Sequence, residues 1–226
     1  MKKTQAIIPM AGQGVRLRSR QLKPLILLRG KPLFVHTLKP FIQSRLIDSL
    51  ILVVPEKSKA IFECLVRKYR LSKVKKIISG GATRCESVFH GLIATDESTD
   101  IVVIHDGARP LVTREILEAA VKECYHARAI VVGVPVKSTI KKVASKNLFI
   151  EETLVRDTLW EIQTPQVFRK DILLRAHQNK KMTNPSDDAL LVEQMGVKIK
   201  VVRGDYKNIK VTTPEDLLAA KAFLEF

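Results

Sequence analysis

A chain of 226 residues in which 39 lysines and arginines face 23 aspartates and glutamates carries a net charge of +16, which draws phosphorylated metabolites and polyanions. Its composition, 46% hydrophobic and 27% charged with ten glycines and ten prolines, excludes the disordered and fibrous classes, and its length suits one domain with an appendage, 1–226, rather than two. The basic residues are scattered through segments such as "RKYRLSKVKK" and "RKDILLRAHQNKKM" instead of gathered in one tail, so a solvated basic surface is the plainer reading and a nucleic-acid-binding module the rival one.

Along the chain, "QAIIP" predicts the first buried strand. Two lysines precede it as in a signal peptide, but the apolar run is short and broken by Pro9, and no other stretch reaches the length of a membrane span. The expectation is a cytoplasmic protein without a membrane segment. Phe34, Leu38 and Phe41 have helical spacing, as do Ile61, Leu65 and Tyr69, then Val88, Leu92 and Thr95, and then Ile116, Leu117 and Val121. Between them lie "SLILVVP", "VKKIIS", "DIVVIHD", "AIVVGVPV" and "VKIKVVRG", rich in β-branched residues. Thr113 is placed to cap one helix, and Thr213 another whose first turn holds Pro214, Glu215 and Asp216. Because the strands are continuously apolar, both sheet faces must be covered, which predicts an α/β fold with a parallel sheet flanked by helices.

The pattern changes at "KSTIKKVASKNLFIEETLVRD", residues 137–157, where polar and apolar residues alternate around a Ser-Lys-Asn turn. This predicts a projecting β-hairpin arm with Trp160 as a wedge at its root. A lone hairpin buries too little to be stable, so the arm implies a homodimer in which it lies on the partner. Cys64, Cys85 and Cys124 are odd in number and widely spaced, which argues against both a disulfide framework and a zinc site.

Chemistry gathers at strand ends. After Pro9 the chain turns through Ala11-Gly12-Gln13-Gly14, where glycines let backbone N–H groups approach an anion. Leu17 stands where a dinucleotide fingerprint needs its third glycine, and the P-loop pattern is absent. Arg16, Arg18, Arg20 and Lys23 follow, cations that either stabilise phosphoryl charge or merely face solvent. "GGATRCES" places Gly80 and Gly81 before a helix, with Arg84 suited to a phosphate and Ser87 to a base or ribose. "VVIHDGARP" sets Asp106 at the carboxyl edge of a strand, where it can orient a hydroxyl or a magnesium ion or cap a turn, with Arg109 close behind. His105 reads as a strand-end packing residue, and His36, His90, His126 and His177 as structural or surface residues.

Together "PMAGQGVRL", "GGATRCES", "HDGARP", "PVKSTIKK", "RDTLWEIQTPQVF", "SDDA" and "GDYKNIKVTTPEDL" resemble, in order and spacing over nearly the whole chain, the 2-C-methyl-D-erythritol 4-phosphate cytidylyltransferases. The resemblance implies a Rossmann-like fold, CTP and a polyol phosphate as substrates, Mg2+ bound through the CTP phosphates rather than by a protein site, and a homodimer joined by its arms. It implies that Pro9, Met10, Ala11, Gly12 and Gly14 wrap the triphosphate while Arg16 and Lys23 act as the catalytic cations. Gly81, Ala82, Arg84 and Ser87 would border the nucleoside, with Asp106 and Gly107 also on the nucleotide side. Asp106, Arg109, Thr164 and Lys210 would face the acceptor, joined by Thr139 and Arg156 from the partner's arm. Pro24 and Gly107 depart from the family's usual glutamine and alanine, Ala82 from a frequent acid, Ser138 from an aspartate and Ser186 from a threonine. Ribitol 5-phosphate is the alternative acceptor, since a few polar side chains set that choice.

Overall fold

The computed structural model describes residues 2–11, 22–179 and 185–224. Gly12, Gly14 and Arg16 of the expected phosphate loop lie outside these residues, as do Arg18 and Arg20.

β1 (Thr4–Pro9) is followed by a small ribbon of β2 (Leu27–Leu28) and β3 (Lys31–Pro32) that leads into α1 (Leu33–Gln43). Strands and helices then alternate: β4 (Ser49–Val54), α2 (Lys59–Lys68), β5 (Val74–Ser79), α3 (Arg84–Ile93), β6 (Ile101–Ile104), α4 (Arg114–Glu123) and β7 (Ala129–Pro135). The arm holds β8 (Lys141–Val143) and β9 (Ile150–Thr153); after it come β10 (Trp160–Arg169), α5 (Lys170–Gln178), α6 (Asp188–Glu193), β11 (Lys200–Arg203) and α7 (Pro214–Phe223).

Seven strands form one sheet in the order β11-β7-β10-β6-β1-β4-β5. β1 runs parallel to both neighbours, with Ala6 opposite Leu50 and Val103. The exception is β10, which runs antiparallel between β6 and β7. Its residues "WEIQTPQVFR" carry polar side chains that mask a strand signal, so sequence patterning passes over the element that joins the two halves of the sheet. The expected mostly parallel α/β architecture is otherwise what the chain adopts.

The continuous apolar strands feed two cores, as a doubly covered sheet requires. On one face Ala6, Ile8, Leu50, Leu52 and Val103 pack under Phe34, Leu38 and Phe41 of α1, Phe62 of α2 and Leu117 and Val121 of α4. On the other, Ile7, Ile51, Val53, Val102 and Ile104 pack against Val88 and Leu92 of α3, with α5 and α6 alongside. The α2 stripe is displaced by one position from its expected phase: Phe62 is fully buried, whereas Ile61 is 50% exposed. The two threonine caps form as expected, Thr113 accepting from the Ile116 N–H and Thr213 from the Asp216 N–H, both at 3.3 Å. A third core joins Leu28 and Leu33 to Val211 and Ala220, seating α7 on the ribbon that follows Lys23.

β8 and β9 pair as the predicted hairpin, apart from the main sheet. Leu148, Phe149, Ile150 and Val155 are all more than 60% exposed on it. Trp160 does sit at its root, opposite Pro135, but is 38% exposed and wedges nothing shut within one copy. Cys64, Cys85 and Cys124 are free thiols. Among the described residues no helix is long and apolar enough to cross a membrane.

Candidate active site

Parallel strands deliver their loops to one edge. At the end of β1 the Met10 N–H donates to the Val53 carbonyl, at the end of β5 the Gly80 N–H donates to that of Val54, and past β6 the His105 N–H donates to that of Ile7. These loops touch. A Cβ on Gly80 would lie 2.5 Å from that of Ala11, so only glycine lets the third loop close on the first. A Cβ on Gly107 would lie 2.3 Å from Met10 Cγ, so the chain past β6 also passes close to the first loop.

The turn into α3 is closed by its own side chains. Thr83 caps the helix by accepting from the Glu86 N–H at 3.1 Å, while Glu86 Oε2 accepts from the Ala82 and Thr83 N–H groups at 2.7 and 3.3 Å. The buried Ser87 hydroxyl accepts from the Gly81 N–H at 3.1 Å and donates to the Thr83 carbonyl at 2.9 Å. Ser87, expected beside a base or ribose, therefore shapes the turn, and the Gly81 and Ala82 N–H groups are already used within it.

Asp106 is the hub. Lys210 Nζ lies 2.8 Å from Oδ2, Arg84 Nε 3.2 Å from Oδ1 and Arg109 Nε 3.9 Å from Oδ2, although Asp106 is only 7% exposed. Burial alone would raise its pKa, but Arg84, Lys210 and Arg109 outweigh it and hold the carboxyl well below the usual range. Arg109, buried itself, donates from Nη1 to the Asn208 carbonyl at 2.7 Å.

β10 brings the remaining support. Its ladder shifts register between Gln163 and Gln166, where the Thr164 hydroxyl accepts the Asp106 N–H at 3.1 Å and meets His105 Nδ1 at 2.9 Å. Since His105 Nε2 faces the Arg109 carbonyl at 3.2 Å, the neutral ring donates from Nε2 and accepts at Nδ1. Burial pushes its pKa down to about 4. His105 packs against Phe41 as expected, and it also orients Thr164. Asn208 closes the far side, donating to the Thr164 carbonyl and to Gln163 Oε1 at 2.9 and 3.1 Å.

Sequence reasoning missed Asp188, the first residue of α6. It is 1% exposed, and its Oδ2 lies 2.8 Å from Arg84 Nη1, so Arg84 bridges two carboxylates instead of standing free for a phosphate. "SDDA" contained the signal, since two adjacent acids at a helix start can supply one cap and one ligand: Asp187 Oδ1 accepts the Leu190 N–H at 3.0 Å, leaving Asp188 for Arg84.

Arg84, Asp106, Arg109, Thr164 and Lys210 thus come together. Lys23 stands in a short 3-10 turn, Lys23–Leu25, whose Pro24 is buried. Thr139 and Arg156 are exposed at the arm, Arg156 Nη1 lying 3.4 Å from the Lys137 carbonyl. Three cations against two carboxylates leave the cluster with a positive excess, suited to phosphate.

The sequence profile of the 2-C-methyl-D-erythritol 4-phosphate cytidylyltransferase family matches residues 4–226. The chain belongs to this family. It is 45% identical over 222 residues to the 2-C-methyl-D-erythritol 4-phosphate cytidylyltransferase of Caldanaerobacter subterraneus subsp. tengcongensis, covering 97% of each chain. Its fold is similar to 4-diphosphocytidyl-2C-methyl-D-erythritol synthase from Anaerococcus prevotii, with a TM-score of 0.88, 31% identity and coverage of 100% of this chain and 97% of that one. The Francisella tularensis 2-C-methyl-D-erythritol 4-phosphate cytidylyltransferase gives a TM-score of 0.80 at 31% identity, over 98% and 99% of the two chains.

Proposed function

We propose that the protein transfers the cytidylyl group of CTP to 2-C-methyl-D-erythritol 4-phosphate, forming 4-diphosphocytidyl-2-C-methyl-D-erythritol and pyrophosphate, a step of non-mevalonate isoprenoid precursor synthesis. The observation that carries this reading is family membership over residues 4–226, in a chain whose strand ends converge on one buried carboxylate ringed by cations.

A phosphate oxygen of the acceptor attacks the α-phosphorus of CTP in line, the α–β P–O bond breaks, and the electron pair leaves with pyrophosphate. A phosphate monoester is already nucleophilic at neutral pH, so the protein's task is positioning and charge stabilisation. Pro9, Met10, Ala11, Gly12 and Gly14 wrap the triphosphate, with Arg16 and Lys23 on its phosphate oxygens. Gly81, Ala82, Arg84 and Ser87 border the nucleoside with Gly107 nearby. Asp106, Arg109, Thr164 and Lys210 orient the acceptor. Arg109 Nε and Asn208 Oδ1 support this assignment, being buried polar atoms without a hydrogen-bond partner among the described residues.

The carboxylates at this edge, Asp106 and Asp188, are both committed to cations, and among the described residues no group of three or more His, Cys, Asp or Glu could hold a metal ion. That donor set fits Mg2+ carried on the CTP phosphates. When bound, the ion would neutralise charge on the phosphates.

The arm, 137–157, makes the protein a homodimer and lends Thr139 and Arg156 to the partner's acceptor site; the exposed Leu148, Phe149 and Ile150 support this, since so much apolar surface needs cover. The free thiols favour a cytoplasmic location. The test is pyrophosphate release from CTP with 2-C-methyl-D-erythritol 4-phosphate and ribitol 5-phosphate in parallel. Turnover with the first and little with the second is expected; the reverse, or salt-sensitive nucleic-acid binding without turnover, would overturn the reading.

A further inference from the structure

His177, on α5, belongs to no motif that the proposed function absorbs, yet its side chain is 1% exposed and hydrogen-bonded at both ring nitrogens. Nε2 lies 3.2 Å from Asp188 Oδ1, and Nδ1 lies 3.7 Å from the Cys85 sulfur. A carboxylate only accepts, so Nε2 carries a proton, while Nδ1 faces the Cys85 thiol. The ring also stacks on Phe89, with centroids 5.8 Å apart and planes 22° from parallel. The placement of the ring is thereby specified.

From this ring a continuous line of contacts reaches the hub. Asp188 gives Oδ1 to His177 and Oδ2 to Arg84 Nη1, and Arg84 gives Nε to Asp106. Arg84 is held between two carboxylates, and each must offer it one oxygen for the bridge to stand. Without His177, Asp188 would keep a buried Oδ1 with no donor, and the nearest remedy is to draw Arg84 onto both oxygens, away from Asp106.

We propose that His177 is a positioning residue for the nucleotide side of the site, acting through Asp188 to keep Arg84 shared with Asp106. Cys85 serves the same end by flanking Nδ1. α5 lies outside the strand-end loops, so the contribution comes from a helix that carries no substrate contact in the proposed function. The inference rests on that reading for its kinetic consequence, because Arg84 is there assigned to the nucleoside border.

The test compares His177→Phe, which can retain the stack on Phe89 but has no N–H, with His177→Gln, which can still donate to Asp188. Expected in the phenylalanine variant is a rise of about tenfold in the KM for CTP, with kcat and the KM for the acceptor within about twofold of wild type, and substantial recovery in the glutamine variant. An unchanged KM for CTP in a folded phenylalanine variant, equal impairment in both variants, or a loss confined to kcat would overturn the proposal. His177→Leu replaces the phenylalanine variant if that one does not fold. If the wild-type protein does not turn over CTP, the proposed function fails separately. The arginine side-chain NMR spectrum then decides: the Arg84 Nε–H signal should shift in the phenylalanine variant and return in the glutamine one, and a signal unmoved in both would refute the role of His177.

Discussion

Lys210 Nζ reaches Asp106 Oδ2 at 2.8 Å while its own side chain remains 40% exposed, so the hub has one solvent-facing cation and two that are more enclosed. That asymmetry separates catalysis from stability. Lys210→Ala should cost about a hundredfold or more in turnover but under about 1 kcal/mol of stability, because an exposed partner contributes little to the folded state. Asp106→Asn should lose turnover similarly and also about 3 kcal/mol of stability, since buried Arg109 would lack its counter-charge and Arg84 would keep only Asp188. Paired urea melts and pyrophosphate assays distinguish the two; equal destabilisation would contradict the asymmetry.

Lys23 leads a turn stiffened by buried Pro24. Lys23→Ala should lower kcat by about two to three orders of magnitude, as for loss of one electrostatic donor to the transition state. Near-normal turnover would remove it from the phosphate assignment. Pro24→Gln, restoring the family's usual residue, should instead cost about 1 kcal/mol through greater freedom of the unfolded chain, read from the melting temperature.

Acid sensitivity has two stages. His105 is kept neutral with a folded pKa of about 4 against about 6.5 in an unfolded chain. Between those values the unfolded chain takes up a proton that the folded protein refuses, so stability falls by up to about 3 kcal/mol as pH drops from about 6.5 towards 4. Asp106 and Asp188 have depressed pKa values, so the stability they add is present above about 3.9 and lost as pH falls further through their folded values. Urea midpoints at pH 7.0, 5.5 and 4.5, taken as roughly spanning the first stage, should decline in wild type and stay flatter in His105→Asn. The same slope in both would assign it elsewhere.

The arm exposes Leu148 and Phe149 at 78% and 71%. Replacing both with lysine should turn a dimer into a monomer in sedimentation equilibrium while leaving circular dichroism unchanged, since neither side chain enters the three cores. Arg156→Ala should weaken acceptor binding and spare CTP, which calorimetry with each substrate alone would measure.

Apolar runs and caps made most of the fold legible: a strand such as "SLILVV", buried at every residue, has few other places to go. The site was legible where one residue type in one loop carried the argument, as with Asp106 at the end of β6. What stayed hidden depended on pairing across the chain. β10 alternates too little to announce itself. Asp188 acquires meaning only once Arg84 lies beside it, and His177 only once Asp188 does. Ser87 adds a role that its motif did not announce: its hydroxyl ties together the backbone of its own turn.

The antiparallel placement of β10 bears on how the protein is made. Residues 101–104 and 129–135 leave the ribosome well before 160–169, so a nascent chain holds two unpaired strand edges that only the later segment can join. Thr164 arrives with that segment and takes the Asp106 N–H as the sheet closes. The joining of the two halves of the sheet and the arrival of Thr164 at Asp106 are therefore one event in biosynthesis, and a chain stalled before β10 would carry both an unfinished catalytic edge and a template for aggregation.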